Sequence, residues 1–101
     1  MRVRFTLHAL AQLDRIFAYI HERNPPAARM IKARILTKIS RLAKYPHSAA
    51  ATSSDGVRML AIGRYPYLVL YTVREALSEV WIIDVRHAKQ DRPATIARQQ
   101  E

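Results

Sequence analysis

The sequence predicts an α+β fold, because two amphipathic helix patterns are followed along one short chain by a set of strand patterns. The helix patterns cover residues 10–22 and 25–44, and the strand patterns cover residues 57–62, 67–73 and 79–86. The chain has 101 residues, half of them hydrophobic and a quarter charged, which is typical of one globular domain. We therefore predict a single domain over residues 1–101.

The first helix is predicted from one apolar stripe. Leu13, Ile16, Phe17 and Ile20 recur at three- and four-residue spacing, which places them on the same helix face. Ahead of the helix, residues 2–6 alternate basic and apolar side chains, a pattern typical of a short half-buried strand. We therefore expect an N-terminal strand that leads into a helix with one buried face.

The second helix is separated from the first by Asn24-Pro25-Pro26. Asparagine is a good helix N-cap, and proline at the first helical position loses no hydrogen bond. Pro46 is expected to end this helix, because the residue before a proline disfavours helical angles. Two helices joined by so short a connection predict an antiparallel hairpin.

The strand patterns differ in how many faces they bury. Residues 67–73 are apolar on both faces apart from Thr72, which predicts a central strand. Strict alternation along the last strand predicts that one face carries Trp81, Ile83, Val85 and His87. The Ser- and Ala-rich residues 47–55 predict a loop. The tail, from about residue 92, is polar, and a short helix is expected at residues 93–98.

The charge of the chain is strongly positive and unevenly spread. Seventeen Lys and Arg against eight Asp and Glu give a formal charge of +9, and no acidic residue lies between Glu22 and Asp55. The cations of that segment are Arg23, Arg29, Lys32, Arg34, Lys38, Arg41 and Lys44. Such a field attracts polyanions and acidic proteins without distinguishing between them. The basic face of the second helix is thus either a solvated surface or a docking face for an acidic partner.

Several classes of site are excluded or disfavoured. The absence of cysteine excludes disulfides, thiolate catalysis and cysteine-containing zinc sites. The four histidines, at positions 8, 21, 47 and 87, lack the spacing of convergent metal ligands, so we expect no metal site. The N-terminal residues carry no long apolar run, and no segment is long enough to span a membrane. We expect a cytoplasmic protein without a cofactor.

One set of residues on the predicted sheet has the chemistry of a nuclease. An RNA-cleaving site uses arginine to stabilise phosphate charge, and histidine or tyrosine to transfer protons. The candidates are Arg58, Tyr71, Arg86 and His87. Each also has a structural interpretation, in which Tyr71 fills the edge of the core and His87 caps the strand end. Asp84 is then expected to pair with Arg86 or Arg58.

A set of short motifs resembles a known family. Asn24-Pro25-Pro26 joins the helices, Tyr65-Pro66-Tyr67 opens the middle strand, and the last strand ends in Val85-Arg86-His87. The complete set of matching stretches covers residues 11–16, 19–20, 24–28, 39–42, 45–46, 55–60, 65–71 and 82–87. Over about residues 5–91 this layout resembles the ParE branch of the RelE/ParE toxin superfamily, the toxins of bacterial type II toxin–antitoxin modules.

The resemblance implies a fold, a function and partners. The implied fold is an N-terminal strand and an antiparallel helical hairpin packed on a small antiparallel β-sheet. The implied partners are a cognate antitoxin, in a hetero-oligomer, and DNA gyrase, which ParE-like toxins are described as inhibiting. We expect an acidic antitoxin segment to cover the basic face and an exposed apolar stripe, formed by Arg34, Lys38, Arg41, Leu13 and Phe17. Sequence-specific binding of nucleic acid is not expected.

The other branch of the superfamily differs in activity. RelE-like toxins cut mRNA in the ribosomal A site, and they carry a basic residue three positions before the tyrosine of the middle strand. That position is Leu68 here, residues 49–56 contain no lysine, and Ala88 stands where a further cation is expected, with Arg86 and Lys89 nearby. A leucine cannot stabilise charge on a phosphate. The pattern favours a gyrase-binding toxin over two alternatives, a RelE- or YoeB-like nuclease using His87 and a non-toxic protein of the same fold.

Overall fold

The computed structural model describes residues 1–89, and the tail predicted from about residue 92, with its helix at 93–98, lies outside that range. Two helices and five strands follow one another, with two single-turn 3₁₀ segments between them. In chain order they are β1 (Arg2–Phe5), α1 (Leu7–Arg23), α2 (Pro25–Ser40), a 3₁₀ turn (Arg41–Ala43), β2 (Ala50–Ala51), β3 (Val57–Ala61), β4 (Tyr67–Arg74), a second 3₁₀ turn (Glu75–Leu77) and β5 (Glu79–His87).

The helical hairpin is built around side-chain caps. Thr6 Oγ1 accepts a hydrogen bond from the Ala9 N–H at 3.1 Å, so Thr6, one of the two residues that the sequence offered as the opening of α1, is its cap, and the helix begins at Leu7. The Asn24 N–H closes α1 on the Ile20 carbonyl at 2.8 Å, while its Oδ1 accepts from the Ala27 N–H at 3.1 Å and opens α2. One asparagine thus ends one helix and starts the next, which confirms the predicted hairpin.

The second helix is shorter than predicted. It ends at Ser40, and Arg41–Ala43 tighten into a 3₁₀ turn before the chain reaches Pro46. Tightening of the last turn is a common way to satisfy carbonyls that have no helical partner. Leu42, within that turn, is 1% exposed and belongs to the core, so the apolar periodicity continues past the end of the α-helix.

The sheet is mixed, in the order β1-β5-β4-β3-β2. The pairs formed by β3, β4 and β5 are antiparallel, as predicted. The short strand β2 also pairs antiparallel with β3, whereas β1 runs parallel to β5. The predicted antiparallel sheet is therefore present, and the N-terminal strand, whose pairing was not predicted, adds a parallel pair at this edge. The helical hairpin lies between β1 and the rest of the sheet in sequence, and it provides the long crossover that a parallel neighbour requires.

The structure also differs from the prediction at residues 47–55, which were predicted to form a loop. Ala50 and Ala51 form β2, which pairs with Met59 and Arg58 of β3 at the edge of the sheet. Two residues are too few to produce the alternation by which a strand is predicted from sequence. The strand could therefore be found only from the backbone of the folded chain.

One hydrophobic core lies between the helices and one face of the sheet. Its buried residues are Ala9, Leu13, Ile35, Ile39, Leu42, Ile62, Tyr67, Val69, Tyr71, Val80, Ile82 and Val85. They come from both helices, the 3₁₀ turn and the strands β4 and β5, together with Ile62, which directly follows β3. The helices and the sheet therefore hold each other in place, and the α+β class is confirmed.

A bulge in β5 changes the predicted faces of that strand. Leu70 pairs with Asp84 but Tyr71 pairs with Ile82, so Ile83 has no partner on β4. The extra residue shifts the alternation by one position. Trp81 therefore lies on the face away from the core, while Val85 lies on the core face. The prediction that they share one face is wrong because strict alternation assumes a strand without a bulge.

Candidate functional site

The four candidate nuclease residues separate into two pairs, one beside the middle of β4 and one beside its first two residues. Arg58 is the register partner of Tyr71, whereas His87 is the partner of Tyr67 and Arg86 that of Leu68. Tyr71 is four residues from Tyr67 along β4, which corresponds to roughly 13 Å. The structure therefore does not bring the four side chains together around one phosphate.

The first pair, Arg58 and Tyr71, holds the loop at residues 46–49 against the sheet. An Arg58 guanidinium nitrogen donates to the Ala49 carbonyl at 2.7 Å and to the His47 carbonyl at 3.4 Å. The Tyr71 hydroxyl donates to the Pro46 carbonyl at 2.8 Å, and the tyrosine side chain is fully buried. Burial raises the pKa of Tyr71, which keeps the phenol protonated. Both residues thus serve the connection between α2 and β2.

The second pair is at the end of β5. Arg86 donates two hydrogen bonds to Asp84 Oδ2, which agrees with one of the two partners expected for Asp84. His87 Nδ1 accepts from the Lys89 N–H at 3.1 Å, and the imidazole meets the Tyr67 ring edge-on with 5.4 Å between centroids. Arg86 and His87 point to opposite faces of the strand, as successive residues do.

The position occupied by a cation in RelE-like toxins is apolar here. Leu68 is 8% exposed, and its register partners are Ala61 on β3 and Arg86 on β5. The guanidinium of Arg86 is bonded to Asp84, so its charge is already balanced by a carboxylate. This region of the sheet offers less positive charge to a phosphate than the sequence count suggests.

The predicted partner face is only partly at the surface. Arg34 and Arg41 on the α2 side are exposed, and Lys38 between them is half-buried. Within residues 1–89 no acidic side chain forms an ion pair with any of these three cations. Their charge is therefore available to an acidic partner, as the prediction requires.

The apolar part of the predicted face needs correction. Leu13 is 4% exposed and belongs to the core, so it cannot contact a partner while the domain is folded. Phe17 is half-buried against the core, with Lys32 Nζ 5.6 Å from the centroid of its ring. The stripe identified from helical periodicity is the face that packs on the sheet, because the same spacing describes core and interface residues.

A surface that the sequence did not reveal lies between α1 and the end of β5. We call it the α1–β5 cleft, and it has a volume of about 590 Å³. The residues that line it are Gln12, Arg15, Ile16, Tyr19, Tyr67, Val85, Arg86, His87 and Lys89. Its α1 members occupy positions i, i+3, i+4 and i+7, a stripe beside the core stripe. The helical spacing of these α1 residues was visible in the sequence. The strand end that they face could be identified only in the structure.

The walls of the cleft are fixed by a few contacts. Gln12 Oε1 accepts a hydrogen bond from the Val85 N–H at 2.8 Å and so ties α1 to β5. Tyr67 is 9% exposed, and burial, followed by the nearby Tyr19, raises its pKa. Tyr19 is 59% exposed, with the Arg23 guanidinium 3.7 Å from the centroid of its ring. The cleft thus combines an apolar floor, two phenol groups and several cations.

A sequence profile identifies the family. The profile that describes the ParE toxin of the type II toxin–antitoxin system matches residues 3–92, nearly the whole chain. The chain belongs to the ParE toxin family. The resemblance found from its motifs is therefore confirmed, and the chain is a toxin of the type II toxin–antitoxin class.

Two relatives of known sequence cover almost the full length of this ParE-family toxin. A Sinorhizobium fredii protein named "Putative toxin Y4kP" is 38% identical over 95 residues, which span 94% of this chain and 96% of the relative. Toxin RelE2 of Caulobacter vibrioides is 32% identical over 87 residues, 86% of this chain and 94% of the relative. One of these two relatives thus carries a RelE name, although the family profile that matches this chain is that of ParE toxins.

Solved structures share the fold of this ParE-family toxin. A chain of the chromosomal ParDE toxin–antitoxin system from P. aeruginosa superposes with a TM-score of 0.75 at 22% identity, covering 86% of this chain and 95% of the other. A chain of the intact E. coli RelBE toxin–antitoxin complex gives 0.58 at 13% identity over the same shares. Because both branches share one fold, the choice between their activities rests on the site.

Two further observations concern metal ligands and membrane-spanning helices in residues 1–89. Within residues 1–89 no three histidine or acidic side chains cluster in the way that metal ligands do. None of the described helices combines the length and the apolar composition needed to cross a bilayer.

Proposed function

We propose that this toxin acts by binding DNA gyrase and holding it in a non-productive complex, and that a cognate antitoxin neutralises it. Membership of the ParE family supports a toxin, and ParE-like toxins are described as gyrase inhibitors. In this mechanism the toxin works stoichiometrically and has no turnover. A gyrase inhibitor acts in the bacterial cytoplasm, the compartment expected from the sequence.

The separation of Arg58 and Tyr71 from Arg86 and His87 is the observation that supports binding over cleavage. Phosphodiester cleavage needs proton-transfer groups and cations within hydrogen-bond reach of the same phosphate. Here Arg58 and Tyr71 are occupied by loop carbonyls. Near the start of β4, the apolar Leu68 lies where the ribosome-dependent relatives place a cation.

The alternative is a YoeB-like nuclease in which His87 transfers a proton. It is favoured by one feature, the presence of His87, Tyr67 and Lys89 around the α1–β5 cleft. This alternative requires that His87→Ala abolish toxicity while the fold persists. The gyrase proposal assigns no chemistry to the imidazole, so the variant is expected to remain toxic.

An antitoxin partner is supported by charge and by family. The solved relatives come from a ParDE system and a RelBE toxin–antitoxin complex, and we infer that this toxin forms a hetero-oligomer of the same kind. Arg34, Lys38 and Arg41 lie along one side of the α2 region without acidic partners in residues 1–89. We propose that this basic face steers an acidic antitoxin during the encounter.

Two assays of the purified toxin, run in parallel, test directly whether gyrase is its target. Gyrase supercoiling of plasmid DNA and cleavage of ribosome-bound mRNA are measured with the same preparation, with His87→Ala and Arg58→Ala as variants. We expect inhibition of supercoiling and no codon-dependent cleavage by any of the three proteins. Efficient cleavage by the wild type, lost in His87→Ala and accompanied by normal supercoiling, would establish the nuclease instead.

A further inference from the structure

We propose that a patch on the outer face of the sheet, opposite the helices, binds single-stranded DNA in a sequence-independent way. The patch consists of Arg2, Arg4, Arg74, Glu79 and Trp81, and we call it the Trp81 patch. The choice of DNA among polyanions rests on the proposed function, because a toxin bound to DNA gyrase is held close to DNA. The patch shares no residue with the α1–β5 cleft, and it lies at the other end of β4 from Leu68.

The register of the strands brings the residues of the patch together. Arg2 on β1 and Arg74 on β4 are the two register partners of Glu79 on β5, and Arg4 on β1 is a partner of Trp81. Both helices pack on the opposite face of the sheet, where the core lies. In the described part of the chain the patch is therefore an open group of side chains across three strands.

The indole ring of Trp81 is held in place while part of its surface stays open. Its Nε1–H donates to Glu79 Oε1 at 2.9 Å, which fixes the ring relative to the sheet. The residue is half-buried, and the guanidinium carbons of Arg4 and Arg74 lie 5.5 Å and 5.9 Å from the centroid of the ring. Unpaired bases stack on aromatic rings and guanidinium planes that are presented in this way.

The charge of the patch is positive and only partly balanced. Arg2 and Arg4 share the Glu79 carboxylate, yet their side chains are 74% and 46% exposed. Arg74 is exposed, and within residues 1–89 it forms no ion pair with a carboxylate. Three cations against one carboxylate leave two positive charges in excess. The patch therefore attracts phosphate groups.

The cations are spaced so that they can contact phosphates on both sides of one base. The strand β5 lies between β1 and β4. Neighbouring strands are about 4.8 Å apart, so the strands that carry Arg4 and Arg74 are separated by roughly 10 Å. A DNA strand that runs across the sheet can place one phosphate near each arginine while the base between them stacks on Trp81.

Other polyanions use less of the patch. Duplex DNA keeps its bases in its own stack, so it would contact the arginines without covering the indole ring. An acidic polypeptide would pair with the same arginines but has no regular series of planar rings. Single-stranded DNA carries a planar base and a negative phosphate at every residue, and it therefore uses both features.

The fluorescence of Trp81 tests the proposal, because the chain contains one tryptophan. The purified toxin is titrated with oligothymidylate of about 15 nucleotides, a length within the range of known single-strand sites. We expect the oligonucleotide to quench the fluorescence, and the affinity to fall as the salt concentration rises. Duplex DNA, oligouridylate and polyglutamate are titrated under the same conditions, and none of them should bind more tightly than oligothymidylate.

A matched pair of variants tests whether the contact lies at the patch. Arg74→Ala and Arg29→Ala each remove one exposed cation, the first from the patch and the second from α2 on the helical side. We expect Arg74→Ala to weaken binding and to reduce the slope of log affinity against log salt by about 0.7, the value for one phosphate contact on a single strand. Arg29→Ala should follow the wild type.

The stacking contact is tested by Trp81→Ala, with binding followed by the anisotropy of a labelled oligonucleotide. We expect the affinity to fall about fivefold or more. Circular dichroism and thermal melting establish that each variant is folded. If Trp81→Ala does not fold, Arg74→Ala still decides the outcome, because Arg74 is exposed and has no carboxylate partner in residues 1–89.

Three outcomes would overturn the proposal. The first is no quenching by oligothymidylate at low salt. The second is an equal loss of affinity in Arg74→Ala and Arg29→Ala, which would show a diffuse charge effect. The third is tighter binding of duplex DNA, oligouridylate or polyglutamate, which would assign the patch to another partner.

The proposed function is tested separately by gyrase supercoiling. A toxin that inhibits supercoiling but does not bind oligothymidylate would contradict only the role of the Trp81 patch. A toxin that binds oligothymidylate through the patch but leaves supercoiling unchanged would contradict only the proposed function.

Discussion

Glu79 is the buried carboxylate of the described sheet, and its three partners lie on the same face of β1 and β5. Its side chain accepts a hydrogen bond from Trp81 Nε1 at 2.9 Å, and its Oε2 lies 3.3 Å from Arg2 Nη2 and 3.8 Å from Arg4 Nη1. The hydrogen bond from Trp81, followed by the contacts with the two arginines, lowers the pKa of Glu79. The ionised carboxylate therefore favours the folded state and links the two parallel strands.

Replacement of Glu79 by glutamine should change how stability depends on pH. A carboxyl group whose pKa is lower in the folded state stabilises the protein above its unfolded pKa, about 4.3 for glutamate. That contribution is lost as the pH falls through the lower folded value. We expect Glu79→Gln to melt at a lower temperature at pH 7, and the difference from the wild type to shrink at acidic pH.

Thermal melting at a series of pH values measures this effect. Glu22→Gln is the control, because the Glu22 side chain is 77% exposed and its ion pair with Arg23 is at the surface. That control should follow the wild type. A difference between Glu79→Gln and the wild type that stays constant from neutral to acidic pH would contradict the assigned role of the carboxylate.

The Tyr71→Phe variant distinguishes a structural role of the hydroxyl group from a chemical one. Tyr71→Phe removes the hydrogen bond to the Pro46 carbonyl and keeps the packing of the ring, so the cost should be about 1–2 kcal/mol in the free energy of unfolding. Urea denaturation measures it, with Tyr45→Phe at an exposed position as control. We expect Tyr71→Phe to remain toxic at a temperature where it is folded. Loss of toxicity without loss of stability would indicate that the hydroxyl takes part in chemistry.

The residue types of the candidate site were predictable from the sequence, but their grouping was not. Arg58, Tyr71, Arg86 and His87 occur on three neighbouring strands, as predicted. Their distance along the strands depends on the register between β3, β4 and β5, and the sequence does not state the register. The shift at Ile83 further changes which residues of β5 face the core.

At the scale of elements, the hairpin of α1 and α2 shows where sequence is most informative. Asn24 and the two prolines after it carry their own conformational preferences, so the connection could be predicted without knowledge of the rest of the fold. The parallel pairing of β1 with β5 is different in kind, because it depends on where the helical hairpin returns the chain. The two-residue β2 had no pattern to detect.

The cap at Asn24 gives a prediction about the hairpin. Asn24→Ala removes the acceptor for the Ala27 N–H, and the loss of such a cap typically costs about 1 kcal/mol of stability. Asn24→Asp keeps an acceptor at the same position and should be close to the wild type. Chemical denaturation measures both variants. Equal stability of the alanine and aspartate variants would show that the side-chain cap contributes nothing measurable.

At the scale of the whole molecule, charge and fold act together. The helix α2 carries four cations and no carboxylate, while the apolar side chains of α1 that periodicity identifies are largely used by the core. A small domain of this size has little stability to spare, so a partner that covers apolar surface also stabilises it. This explains physically why a toxin of this family is expected to be most stable in complex with its antitoxin.

The proposed mode of action also depends on the residue at position 68 of the sheet. Leu68 is buried where a cation is needed for cleavage of mRNA, and the nearest arginine, on β5, is already paired. These contacts agree with the proposed mode of action, in which the toxin binds its target without turnover. The family match supports the toxin class, and the arrangement of the sheet supports the mode of action.

The most direct measurement is a titration of purified gyrase with the toxin, in which supercoiling is followed as a function of the molar ratio of toxin to gyrase. Ribosome-bound mRNA is incubated with the same toxin samples in parallel. Our account predicts that supercoiling falls as toxin is added and levels off near a stoichiometric ratio, while the mRNA stays intact. Supercoiling that is unaffected by excess toxin, together with mRNA cut at catalytic amounts of toxin, would contradict it.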